Sequence, residues 1–154
     1  MSGPRILVDA DACPVKDEIY KVALRHGVPV ALVANSWMRT PQHVLVTLEV
    51  VGSGFDEADD RIADTADARS VVVTADILLA DRCLKAGAAV VGPNGKPFTT
   101  ASIGAAIATR AIMQDLRDTV VGGPAGGPAP FSKKDRSQFL SALDAALVKL
   151  KAAG

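Results

Sequence analysis

The stretch Ile6–Lys16 reads I-L-V-D-A-D-A-C-P-V-K. Its opening aliphatic run, Ile6 to Val8, shows no polar alternation. That is the pattern of a strand covered on both faces, as in a parallel sheet between helices. The run stops at Asp9, and Pro14 suits the first turn of a following helix, where its missing N–H costs nothing. Between strand and helix stand Asp9, Asp11 and Cys13, with Lys16 just behind. In open α/β sheets, functional groups collect beyond the carboxyl ends of the strands. Two carboxylates at such a place call for a chemical reason.

Outward from this stretch the same alternation repeats. Val15, Ile19, Val22, Ala23 and Leu24 lie near helical spacing over 15–26, and Gly27 is a stop signal. Further strands are expected at 28–35, 43–51, 70–74 and 88–92, and helices at 56–69, after Asp76 up to Gly87, and from Thr99 or Thr100 to about Arg117. The expected fold is therefore α/β, with a mostly parallel sheet of about five strands between helical layers. Residues 1–120 form this domain. A Gly/Pro-rich linker is expected over 121–131. A last helix over 132–154 is capped by Ser132 and Asp135 and packs on the same domain through Phe139, Leu140, Leu143, Ala146, Leu147 and Leu150.

Composition narrows the function. The chain has 154 residues, 49% of them apolar and only 4% aromatic, so its core is built from Val, Ile, Leu and Ala. Lys plus Arg balance Asp plus Glu at 17 each, so any nucleic-acid contact needs a local patch. Two cysteines, Cys13 and Cys83, make no disulfide framework and read as packed, reduced thiols. The N-terminus has no signal-peptide pattern and no apolar run is long enough for a membrane span. The expectation is a cytoplasmic protein with no membrane partner; a homodimer is left open.

Acids follow three of the expected strands: Asp9 and Asp11 the first, Asp56, Asp59 and Asp60 the third, Asp76 and then Asp81 the fourth. Carboxylates within about 4 to 6 Å repel unless some protonate or a cation binds. Hard oxygen donors favour Mg²⁺ or Mn²⁺, which can acidify water and clamp a phosphate oxygen. The plainer reading is that Asp9 and Asp76 cap helices and that the acids at 56–60 complement a helix dipole. Asp64 and Asp67 read as a solvated face.

The motifs D-A-D-A-C-P-V-K (9–16), G-F-D-E-A-D (54–59), V-T-A-D-I-L-L-A (73–80) and G-G-P-A-P-F-S-K-K-D-R-S-Q-F (126–139) closely resemble the YaiI/YqxD family, also called UPF0178 or DUF188. The resemblance runs over nearly the whole chain. That family is in turn similar to the PIN/NYN nuclease-like superfamily. This implies a three-layer, Rossmann-like α/β fold and a cluster of acids that binds Mg²⁺ or Mn²⁺ to hydrolyse RNA. Carried over on the motifs, Asp9, Asp59 and Asp76 are the catalytic metal ligands, and Asp11, Asp56 and Asp81 complete the shell. Thr74 belongs to the T-x-D motif of the same site.

Around that centre, Lys16 is a candidate phosphate contact. Asn35, Ser36 and Arg39 follow the second strand at the same sheet edge. Trp37 can stack on a base or pack under the C-terminal segment. Lys133, Lys134 and Arg136 make a local basic patch for a nucleic-acid backbone, or simply the wet face of the last helix. Two other readings compete. A haloacid-dehalogenase-like phosphatase would use Asp9 as nucleophile and Asp11 as acid/base, but the order of its later motifs is wrong here. An inactive PIN-like domain would bind nucleic acid or protein without cutting it.

Overall fold

The computed structural model describes residues 3–52, 54, 56–119 and 132–153. The segment expected as a linker, 121–131, lies outside the described residues. Six strands form one sheet: β1 (Arg5–Asp9), β2 (Val30–Ala34), β3 (Val46–Val50), β4 (Ser70–Val73), β5 (Ala89–Val91) and β6 (Pro97–Phe98). Their spatial order is β3-β2-β1-β4-β5-β6. The first five run parallel, and β6 pairs antiparallel with β5. Five α-helices accompany them among the described residues: α1 (Lys16–His26), α2 (Glu57–Thr65), α3 (Ile77–Lys85), α4 (Thr100–Thr119) and α5 (Lys133–Ala153).

The apolar run of the opening stretch is buried as its pattern requires. Ile6 and Val8 are 0% exposed and Leu7 is 2% exposed. Successive strand residues point to opposite faces. Ile6 and Val8 therefore join the core under α1 and α5, while Leu7 joins the one under α2, α3 and α4. The molecule is thus three-layered, with α5 completing one helical layer. Phe139, Leu143 and Leu147 of α5 are fully buried, flanked by half-buried Leu140, Ala146 and Leu150. Each large buried side chain contributes about 1.5–3 kcal/mol before ordering costs, so this stripe is enough to hold α5 in place.

The helix starts follow the sequence signals. Ser132 and Asp135 cap α5 reciprocally: the Ser132 N–H and hydroxyl both donate to Asp135 Oδ2, and the Asp135 N–H donates to Ser132 Oγ. Thr99 and Ser102 make the same exchange at the start of α4.

Three departures are instructive. The sheet has a sixth strand, only two residues long, too short for any periodicity to reveal. Its turn passes through Gly95 at φ +85°, where a Cβ would fall 2.5 Å from the Gln138 backbone of α5. A side chain at 95 would push the turn off α5. The helix expected over 56–69 stops at Thr65. Beyond it, Asp67 is half-exposed but more than a solvated face: it accepts from Arg5 Nη2 at 3.0 Å, from the Arg69 N–H and from the Ser70 hydroxyl. It thereby fastens the entry of β4 beside that of β1.

Candidate functional site

The strand order reverses between β1 and β4. From β1 the chain winds outward through β2 and β3, and from β4 it winds the other way. Helices cover opposite faces on the two sides of such a point, so a crevice opens beyond the carboxyl ends of the two central strands. Asp9 is the last residue of β1, and Thr74 directly follows β4.

Thr74 is buried and holds the two exits together. Its hydroxyl donates to Asp9 Oδ2 at 2.9 Å and accepts the Asp76 N–H at 3.0 Å. Asp76 is the N-cap of α3, where Oδ1 accepts the N–H groups of Leu78 and Leu79 at 2.9 and 3.1 Å. The cap uses that oxygen alone; Oδ2 bonds no described residue. Capping and facing the crevice are therefore compatible roles. Asp11 sits in a 3-10 turn over Ala10–Ala12, and its oxygens accept the Asn35 N–H at 2.9 and 3.2 Å. This ties the exit of β1 to that of β2.

Two further acids arrive with α2. Asp56 precedes the helix in the left-handed region at φ 66°, with no capping bond from its side chain. Aspartate tolerates that region better than most residues. Asp59 follows in the first turn, half-buried. Asp9, Asp11, Asp56, Asp59 and Asp76 line one cavity of about 500 Å³, together with Asn35, Gly54, Ala58 and Arg110. A smaller cavity of about 220 Å³ shares Asp9 and Asp76 and is closed by Cys13, Thr74 and Pro93. A larger one, about 690 Å³, lies along β5 and α5 and is lined by no carboxylate.

The crowding changes the acids. Burial, with the charges of Asp76, Asp9 and Asp56, pushes Asp59 up to about 6; Arg82 opposes this. Burial also raises Asp9, opposed by the hydrogen bond from Thr74, with Asp76 and Asp11 adding to the rise. Burial raises Cys13 too, and it carries Cys83 up to about 11, so both thiols are packed and protonated at neutral pH.

Similarity to other proteins agrees with these motifs. The family model DUF188, described as "Uncharacterized BCR, YaiI/YqxD family", matches residues 7–149. The chain belongs to the YaiI/YqxD family. A UPF0178 protein of Sphingopyxis alaskensis is 68% identical over 151 residues, covering 98% of this chain and 97% of that protein. The UPF0178 protein RPA2191 of Rhodopseudomonas palustris is 58% identical over 146 residues, 95% of this chain and 91% of that one. One from Nitrobacter winogradskyi is 54% identical over 153 residues, 99% and 96% of the two chains. No solved structure matches the chain.

In this YaiI/YqxD chain, then, five of the six expected metal ligands share a cavity. Asp81 does not line it; its carboxylate pairs with Lys85 at 2.9 Å along α3. Oxygen-only donors suit Mg²⁺ or Mn²⁺. Among the described residues, no three acidic, His or Cys side chains converge as a ready ligand shell. The donors are gathered around the cavity rather than onto one point.

The expected substrate contacts divide. Asn35 lines the cavity, while Ser36 and Arg39 are exposed on the loop after β2. Trp37 is 75% exposed and packs under nothing that would hide it. Thr74 serves Asp9 from within the protein. Lys16 turns back to the Ala10 and Cys13 carbonyls at 3.4 and 3.2 Å, bracing the turn that carries Asp11. Lys133 and Lys134 are exposed at the start of α5. Arg136 donates to the Pro14 carbonyl at 2.8 Å and to Glu18 at 3.0 Å, clasping α5 to α1. Sequence reading missed Arg110, because nothing in α4 marks it apart from any other surface arginine.

No helix among the described residues is long and apolar enough to cross a membrane.

Proposed function

We propose that this chain is a divalent-metal-dependent nuclease that hydrolyses RNA phosphodiesters. One observation carries the reading: five aspartates from three separate chain segments line a single cavity at the switch point of the sheet. A purely structural use of these acids would pair them with bases or seal them as caps, and most of their oxygens are left uncommitted. Asp9, Asp59 and Asp76 would hold Mg²⁺ or Mn²⁺, with Asp11 and Asp56 beside them. Bound there, the cation supplies positive charge next to the phosphoryl group and acidifies water.

The remaining chemistry belongs to the side chains. Hydrolysis joins a water oxygen to phosphorus, breaks the bond to the leaving ribose oxygen and transfers one proton from the water to that oxygen. The cavity carboxylates that do not hold the cation, Asp11 and Asp56, are the groups at hand to take that proton and return it. Thr74 fixes the orientation of Asp9, and the Asn35 N–H fixes that of Asp11. Single-stranded RNA suits an open cavity, and Trp37, exposed on the loop after β2, is free to stack a base.

The test is calorimetry with Mn²⁺ followed by cleavage of a labelled single-stranded RNA. Wild type should bind Mn²⁺ and cut. Asp9→Asn should lower cleavage by about 10²-fold or more without lowering the melting temperature. Wild type that binds no Mn²⁺ at millimolar concentration defeats the proposal; binding without cleavage marks a non-catalytic domain.

A further inference from the structure

Ile103 and Ile107 of α4 pack into the core under α3. Residues at i, i+4 and i+7 share one helix face, so the next position on that stripe is Arg110. There the stripe stops packing against apolar side chains, and Arg110 instead lines the cavity of the five aspartates. Among the described residues it is the only basic side chain that does so. It also pairs with none of them: no hydrogen bond or ion pair joins Arg110 to any described residue. Other arginines behave differently, since Arg82 pairs with Asp60 and Arg61 with Glu49.

A guanidinium brought to an acidic cavity by a packed helix, yet committed to no carboxylate, has donors to spare for a ligand. Its planar fork matches two oxygens of a phosphate, which a point charge such as lysine cannot do. We infer that Arg110 is a specificity-determining residue that grips the phosphate of a phosphate-bearing substrate seated over the aspartates. This rests on the nuclease reading, because a phosphate enters so acidic a cavity only with a cation. It adds the substrate's recognised group and the residue that selects it.

The experiment uses the full chain as wild type, Arg110→Ala and Arg110→Lys. Mn²⁺ affinity is measured by calorimetry, and affinity for a short fluorescein-labelled phosphorothioate oligouridylate by anisotropy in Mn²⁺. Arg110→Ala should bind Mn²⁺ at least as well as wild type, since a positive charge has been removed from the cation's surroundings. Its oligonucleotide affinity should fall about ten- to a hundredfold, the range for lost charge-assisted hydrogen bonds. Arg110→Lys should recover part of that loss. Wild type that binds Mn²⁺ while Arg110→Ala keeps full oligonucleotide affinity overturns this inference and leaves the nuclease reading standing. Wild type that binds no Mn²⁺ overturns both.

Discussion

Two populations of acid coexist in this molecule. Away from the switch point, six acids are matched to bases: Asp67 to Arg5, Glu49 to Arg61, Asp60 to Arg82, Asp81 to Lys85, Glu18 to Arg136, and Asp144 to both Arg25 and His26. At the switch point, Asp9, Asp11, Asp56, Asp59 and Asp76 form no ion pair with a described residue. A chain of zero net charge has thus arranged a local negative excess. It is an electrostatic cost to folding, and Asp59 shows it: the paired Asp144 is pulled down, foremost by the hydrogen bond from His26, while Asp59 is pushed up to about 6.

The comparison can be broken in three ways. A cation should relieve the excess. Mn²⁺ at about a hundred times its Kd should add about 2.7 kcal/mol and raise the melting temperature by several degrees. Asp9→Asn should lose most of that shift, and Asp60→Asn, which alters a paired acid, should keep it. Equal shifts in wild type and Asp9→Asn would place the cation elsewhere.

Removing one charge should also relieve it. Asp59 binds its proton more tightly folded than unfolded, so its contribution to stability is lost as pH rises from about 4 to about 6. Asp59→Asn should therefore be more stable than wild type at pH 7, by on the order of 1 kcal/mol after solvent screening. The gain should vanish below about pH 4, where wild type is protonated in both states. Urea titrations at the two pH values decide it; a variant less stable at pH 7 would show that Asp59 is held by contacts stronger than the repulsion.

The smallest effect lies on the paired side. Asp144 has a lowered carboxyl, so its contribution is present at neutral pH and fades as pH falls through the carboxylate range. Asp144→Asn should cost only a few tenths of a kcal/mol, as exposed pairs do, and the cost should shrink in high salt. A loss above about 1 kcal/mol would mean that the Arg25–His26–Asp144 group docks α5 on α1 more firmly than surface pairs allow.

Much of this arrangement was readable along the chain. Unbroken aliphatic runs such as Ile6–Val8 and Val71–Val73 can only be strands buried on both faces, and both prove fully covered. An acid directly after such a run, or a turn's length beyond it, must lie at the sheet's carboxyl end, which located Asp9 and Asp76. The stripe from Phe139 to Leu150 announced a helix with one face to bury, and the spacing of Ser132 and Asp135 announced its start. These are properties of neighbours three or four residues apart, and local geometry enforces them wherever the chain goes.

Partnership between distant charges was not readable. Lys16 and Arg136 looked like phosphate contacts and turned out to bond backbone and Glu18. Asp81 is the exception: expected as a ligand, it pairs with Lys85 one turn along α3, a partner its i,i+4 spacing did offer. Thr74, placed with the substrate, orients Asp9 from a buried position. Arg110, unmarked in sequence, reaches the acids only because α4 packs across α3. Burial and periodicity are written into adjacent residues by the hydrophobic effect and backbone sterics. Which cation meets which anion depends on where helices cross, and packing between segments many residues apart decides that.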